Sequence, residues 1–86
     1  MSFTVSTLNF LNARQVLQEG LTAIMNGEHE CDLSKLEQVD SASVAVLLAW
    51  QKAAIQNKRH LRFKNTPESL ISLASLYGVT ELLALS

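Results

Sequence analysis

The spacing of apolar positions changes several times along the chain, and each change marks an element. Phe3-Thr4-Val5 alternates and is β-prone, which predicts a short strand. Val16, Leu17, Leu21, Ile24 and Met25 then recur at helical spacing. Asn12 ahead of them, with Gln15 three residues on, reads as a capping box, and Gly27 stands where a helix stop places glycine. His29 to Leu33 (HECDL) returns to alternation, with Cys31 and Leu33 on one face. The chain continues through Leu36 and Val39 to a turn at Asp40, and a second helix is predicted from about Ser41 to Asn57. Basic residues follow it, as suits a helix C-terminus. Leu61-Arg62-Phe63 alternates as a half-buried strand does. Thr66-Pro67-Glu68 supplies a capping side chain, a proline at the first helical position and an early acid. The third helix carries Leu70, Ile71, Leu73, Ala74 and Leu76 and stops at Gly78. The tail TELLALS fits a last short strand or a helical turn equally well.

Strands alternating with helices in this order imply parallel pairing through crossover helices. The predicted fold class is α/β: a small mixed, largely parallel sheet of about four strands with helices packed against it. One proline and three glycines leave no room for a linker, so residues 1–86 read as a single domain. At this length folding buries only ~60–65% of the unfolded chain's surface, a thin core.

The second helix holds more apolar surface than one buried face requires. At about 100° per residue, Val44, Leu47, Leu48, Ala54 and Ile55 share one side and make the expected core face. Val46, Ala49, Trp50 and Ala53 fall largely on the other side, joined by Ala42. A domain this small is expected to leave part of that second stripe exposed, and exposed apolar patches with tryptophan mark interaction sites. The plainer alternative is that a neighbouring helix covers Trp50. Asp40, Ser41 and Ser43 surround the helix start. One of them serves as the N-cap, and a helix N-terminus also tolerates a phosphate.

Composition narrows the chemistry. Hydrophobic residues make up 48% of the chain and charged residues 17%, which favours a packed globule over disorder. A net charge of −1 argues against a nucleic-acid partner. The basic cluster Lys58, Arg59, His60, Arg62 and Lys64 has no interleaved aromatic platform and reads as a solvated helix end and strand face. The lone Cys31 fits a reducing compartment. No signal peptide and no membrane-length apolar run is visible, so the expected setting is cytoplasmic. His29, Cys31 and Asp32 lack a second ligand pair at metal-binding spacing. Neither a nucleophile elbow nor a Gly-rich phosphate loop occurs, so no enzyme activity, cofactor or small-molecule substrate is expected.

Asp32-Leu33-Ser34, Leu36, Val39-Asp40-Ser41, then Ala45 and Leu47-Leu48 resemble the signature of the STAS domain family, named for sulfate transporters and anti-sigma factor antagonists. Leu8, Phe10 and Ala13 near the start, and LYGVTELL near the end, align with it too, so the resemblance spans nearly the whole chain as a single STAS domain. In the anti-sigma factor antagonists of that family the second hydroxyl residue after the aspartate accepts phosphate. The matching position here is Ala42, and Ser43 stands where glycine is usual. Ser41, Ala42 and Leu47-Leu48 with Trp50 instead resemble the MlaB-like branch.

That resemblance implies a small accessory subunit that binds and supports the ATPase of an ABC-type phospholipid transporter maintaining outer-membrane lipid asymmetry. It would be cytoplasmic and held at the inner membrane only through its partner. The implied partner-binding residues are Asp40, Ser41, Ala42, Ser43, Val46, Ala49, Trp50 and Ala53. The alternative is an anti-sigma factor antagonist controlled by serine phosphorylation.

Overall fold

The computed structural model describes residues 6–85. The expected strand at Phe3-Thr4-Val5 lies outside them. Four strands form two parallel pairs. The first pair is β1 (Thr7–Leu8) with β3 (Gln38–Val39), in register Thr7 to Gln38 and Leu8 to Val39. The second is β2 (Glu30–Asp32) with β4 (Arg62–Lys64), in register Glu30 to Arg62, Cys31 to Phe63 and Asp32 to Lys64. The crossovers are α1 (Ala13–Met25) and α2 (Ser41–Gln56), followed by α3 (Glu68–Leu76) and the short α4 (Thr80–Leu83). The start of the tail, Thr80–Leu83, is therefore a helical turn. β1 and β3 are two-residue strands, too short for an alternation signal to reveal them.

The alternation expected in the longer pair is present. Cys31, Leu33, Leu61 and Phe63 are buried while Arg62 and Lys64 face solvent. The exposed ends of this pair are joined by an ion pair between Lys64 and Glu30 at 3.1 Å. That hydrogen bond and the lysine charge hold the Glu30 carboxyl below its ordinary range.

All three long helices end alike. The amides of Glu28, Arg59 and Val79 reach back to the carbonyls of Ala23, Ala54 and Ala74, closing Schellman-type turns. Such turns place one residue in the left-handed region. Gly27 (φ 102°) and Gly78 (φ 69°) fill that place after α1 and α3, but after α2 it falls to Lys58 (φ 60°).

Two expected caps are built differently. Asn12 makes no side-chain cap to α1; its amide group binds Thr7 and Asn9 in the preceding loop instead. Thr66 does not cap α3 either, since its hydroxyl is buried without a partner and Pro67 occupies the cap position.

The core gathers under α2, which touches α1, α3 and α4. Trp50 is 1% exposed and Val46 4%. Val46 was expected on a stripe left partly exposed, and the structure corrects this; for Trp50 the alternative of a covering helix is the one found. The premise that so small a domain covers only one face of α2 fails because α2 is central, with neighbouring helices packed on it from more than one side. The closest fit is between Trp50 and Gly20 of α1. A Cβ on Gly20 would overlap Cε2, Cζ2 and Nε1 of the indole, and the indole N–H donates to the Leu17 carbonyl at 3.0 Å. The tryptophan thus fills a notch in α1, its polar atom satisfied by helix backbone. One residue further, buried Gln51 makes a paired hydrogen bond to the Leu61 backbone, donating to its carbonyl and accepting from its amide, both at 2.9 Å. This side chain acts as a short strand neighbour that fixes the approach to β4.

Candidate functional site

The start of α2 is assembled around Asp40. Its backbone is extended, and its Oδ1 accepts from the Ala42 amide at 2.8 Å, a standard N-cap. The other carboxylate oxygen, Oδ2, accepts from the Phe10 amide at 3.2 Å. One side chain therefore joins the helix start to the loop that follows β1. The Asp40 carbonyl accepts from both the amide and the hydroxyl of Ser43.

The three residues after Asp40 differ sharply in access. Ser41 is exposed, Ala42 is half-buried, and Ser43 is fully buried. Only Ser41 presents a hydroxyl outward. The Ser43 hydroxyl is sealed beneath the first turn of the helix, where it satisfies a backbone carbonyl.

The solvent face of α2 runs in a different direction from the one expected. Ser41, Ala45, Lys52 and Ile55 are exposed, with Leu48 and Ala49 half-buried beside them. At about 100° per residue Ser41, Ala45, Leu48, Lys52 and Ile55 fall within about 80° of arc. Ile55, expected in the core, is 55% exposed. Ala53 is half-buried on the flank nearer Val46 and Trp50. A helix apolar on every side gives no hydrophobic direction to read, and so the buried stripe was misassigned. The surplus apolar surface is real, but it lies on Ala45, Leu48 and Ile55 instead of Val46 and Trp50.

Sequence reasoning also passed over the most exposed apolar pair near this site. Phe10 is 74% exposed and Leu11 80%, and the Phe10 amide is itself the main-chain link to Asp40. Their signal was an apolar pair between two asparagines, a turn composition holding residues that a turn does not need.

Among the described residues no three His, Cys, Asp or Glu side chains gather as a metal-ion site. Cys31 lies in buried β2, and burial pushes its thiol up to about 12. Asp32 is held below the ordinary carboxyl range by hydrogen bonds from Ser34 and from the Asn65 side chain, a loop-closing role. Among the described residues no helix is long and apolar enough to cross a membrane.

The arrangement is an outward-facing serine on a capped helix start beside an exposed apolar loop, on a domain of paired parallel strands and packed helices. A family model described as "Mlab, STAS domain" matches residues 5–84. The chain belongs to the MlaB-type STAS domain family. The match takes in every strand and helix described above. No curated protein matches the sequence significantly. The aspartate-serine pair at 40–41 of this chain sits at the junction of β3 and α2, where the chain turns from the sheet into the central helix.

Proposed function

We propose that this STAS domain is a non-catalytic accessory subunit that binds the ATPase subunit of an ABC-type phospholipid transporter maintaining outer-membrane lipid asymmetry. Its place is then the cytoplasmic side of the inner membrane, reached through that partner. The observation that carries the reading is the treatment of the three positions after Asp40. Ser41 faces outward, Ala42 has no hydroxyl, and the hydroxyl of Ser43 is buried against the Asp40 carbonyl. The resemblance to anti-sigma factor antagonists implies a phosphate acceptor at the second position, where Ala42 stands. A docking surface needs only an accessible rim, and the small, weakly polar residues Ser41, Ala45 and Ala49 allow a partner to approach the helix closely.

The docking surface in this reading is the solvent face of α2 from Ser41 to Ile55, with Asp40 shaping its upper end. Val46, Trp50 and Ser43 support it from beneath. The test is co-purification and affinity measurement with the ATPase subunit. Ser41→Glu and Ala45→Glu place charge and bulk on the surface without entering the core. Each is expected to weaken binding at least tenfold while leaving the melting temperature within about 2 °C, as surface substitutions do. Unchanged affinity for both variants would place the contact elsewhere. Stoichiometric phosphate on a serine after incubation with an anti-sigma kinase would favour the switch instead.

A further inference from the structure

The loop from Asn9 to Asn12 projects two large apolar side chains into solvent, yet its backbone is tied at every amide. The Asn9 amide donates to Asn12 Oδ1 at 3.0 Å, and the Leu11 amide to Asn9 Oδ1 at 2.9 Å. The Asn12 amide donates to the Asn9 carbonyl at 3.2 Å. The Phe10 amide donates across the chain to Asp40 Oδ2 at 3.2 Å. Asn12 Nδ2 binds back to the Thr7 carbonyl at 2.7 Å, anchoring the loop to the end of β1. Asn9, Asn12 and Asp40 are thus used to hold a turn whose outward side chains, Phe10 and Leu11, have no packing role in the domain.

We infer that Phe10 and Leu11 form a pre-organised apolar knob that inserts into an apolar recess of the ATPase subunit, and that Asp40 is the positioning residue that sets the knob against the α2 docking face. This rests on the ATPase-binding reading above and extends its surface beyond α2. Two features decide the kind of partner. Because the loop amides are all engaged, the loop cannot be read by strand addition, so recognition must come through its side chains. Because the Asp40 carboxylate accepts from the Phe10 amide at 3.2 Å, a negative charge stands at the base of the knob, so an anionic lipid surface is disfavoured and an apolar protein recess is favoured. Fixing the loop before binding lowers the ordering cost, so two side chains can contribute strongly. The same carboxylate caps α2, so the knob and the Ser41 rim hold a fixed spacing.

The full chain and the purified ATPase subunit supply the test. Phe10→Ser and Leu11→Ser remove the knob and should each weaken binding at least tenfold with an unchanged melting temperature, since neither side chain is in the core. Asp40→Asn retains one carbonyl oxygen, which can serve the Ala42 amide or the Phe10 amide but not both. It should speed hydrogen exchange at the Phe10 amide and weaken binding several-fold while α2 stays helical by circular dichroism. If the knob variants bind like the parent while Ser41→Glu does not, the knob is refuted and the α2 surface stands. If the parent chain does not bind the ATPase subunit, the functional reading falls and the knob's occupant with it. Binding of the isolated chain to phosphatidylglycerol-containing vesicles, or dimerisation by sedimentation velocity, either one abolished by Phe10→Ser, would overturn the protein recess in favour of a lipid surface or a second copy.

Discussion

Replacing Gly20 with alanine tests the corrected position of Trp50. In most helix interiors this exchange adds about 1 kcal/mol of stability, because alanine is the better helix former. Here the new methyl would fall on Cε2, Cζ2 and Nε1 of the indole, well inside the 3.0 Å that real Cβ atoms keep. Either the ring leaves its notch or α1 lifts away from α2. Overpacking of this kind costs about 1–3 kcal/mol. Displacing the ring also breaks the indole hydrogen bond to Leu17 and strands a buried donor, for about 1–3 kcal/mol more. The net expectation is a loss of about 3 kcal/mol, which for a domain of this size lowers the melting temperature by about 12–24 °C. Urea denaturation followed by circular dichroism and by tryptophan emission gives both the free energy and the ring's environment. In a Trp50→Leu background the overlapping atoms are gone, so the same Gly20→Ala change should turn neutral or stabilising. A Gly20→Ala variant as stable as the parent, with unshifted emission, would refute the packing of Trp50 into α1.

Two further outcomes follow from local geometry. Lys58 occupies the left-handed position after α2 that glycine fills after α1 and α3, so Lys58→Gly should stabilise the domain by up to about 1 kcal/mol in chemical denaturation. A loss of stability would show that the lysine side chain compensates for its backbone. The Cys31 thiol, raised by burial from 9.0 to about 12, has a thiolate fraction at pH 8 about a thousand-fold below that of an ordinary cysteine. Because the fold holds this proton more tightly than the unfolded chain, stability should fall as pH rises from 9.0 towards about 12. Iodoacetamide labelling at pH 8 should therefore follow unfolding and be suppressed by conditions that stabilise the fold; labelling at the rate of a free thiol would contradict the burial.

The long elements were legible because their periods were. α1, α2 and α3 fall within a residue or two of the expected spans, and the stops at Gly27 and Gly78 are where glycine placed them. β2 and β4 followed from the alternation around Cys31 and Phe63. What could not be read was direction and partnership. α2 is apolar on all sides, so the sequence gives its existence without saying which side faces in. The partner of Trp50 was marked by Gly20, a glycine inside a helix that propensity alone does not justify, but only the fold connects the two. Asn12 and Thr66 carried the right residue types for caps, and tertiary contacts used them otherwise. Gln51 offered no pattern, since its function depends on where the Leu61 backbone arrives.

For the candidate site, the motif around Asp40 and Ser41 falls at the start of α2, where the chain leaves β3. Val46, Trp50 and Ser43 are buried on the inner side of α2, whereas Ala45 and Ile55 are exposed and Leu48 half-buried on its outer side. The loop at Phe10 and Leu11 joins that surface only through a hydrogen bond to a residue thirty positions away, which no local pattern contains.

In the proposed complex the face from Ser41 along outer α2, together with the loop at Phe10 and Leu11, docks a transporter ATPase. Hydrogen exchange with mass spectrometry on the free chain and on its complex with the ATPase subunit tests it directly. Protection is expected in peptides covering 9–12 and 41–49, with little change across β4 and the α3–α4 end. Protection confined to α3 and α4, or none at the start of α2, would contradict docking through this face.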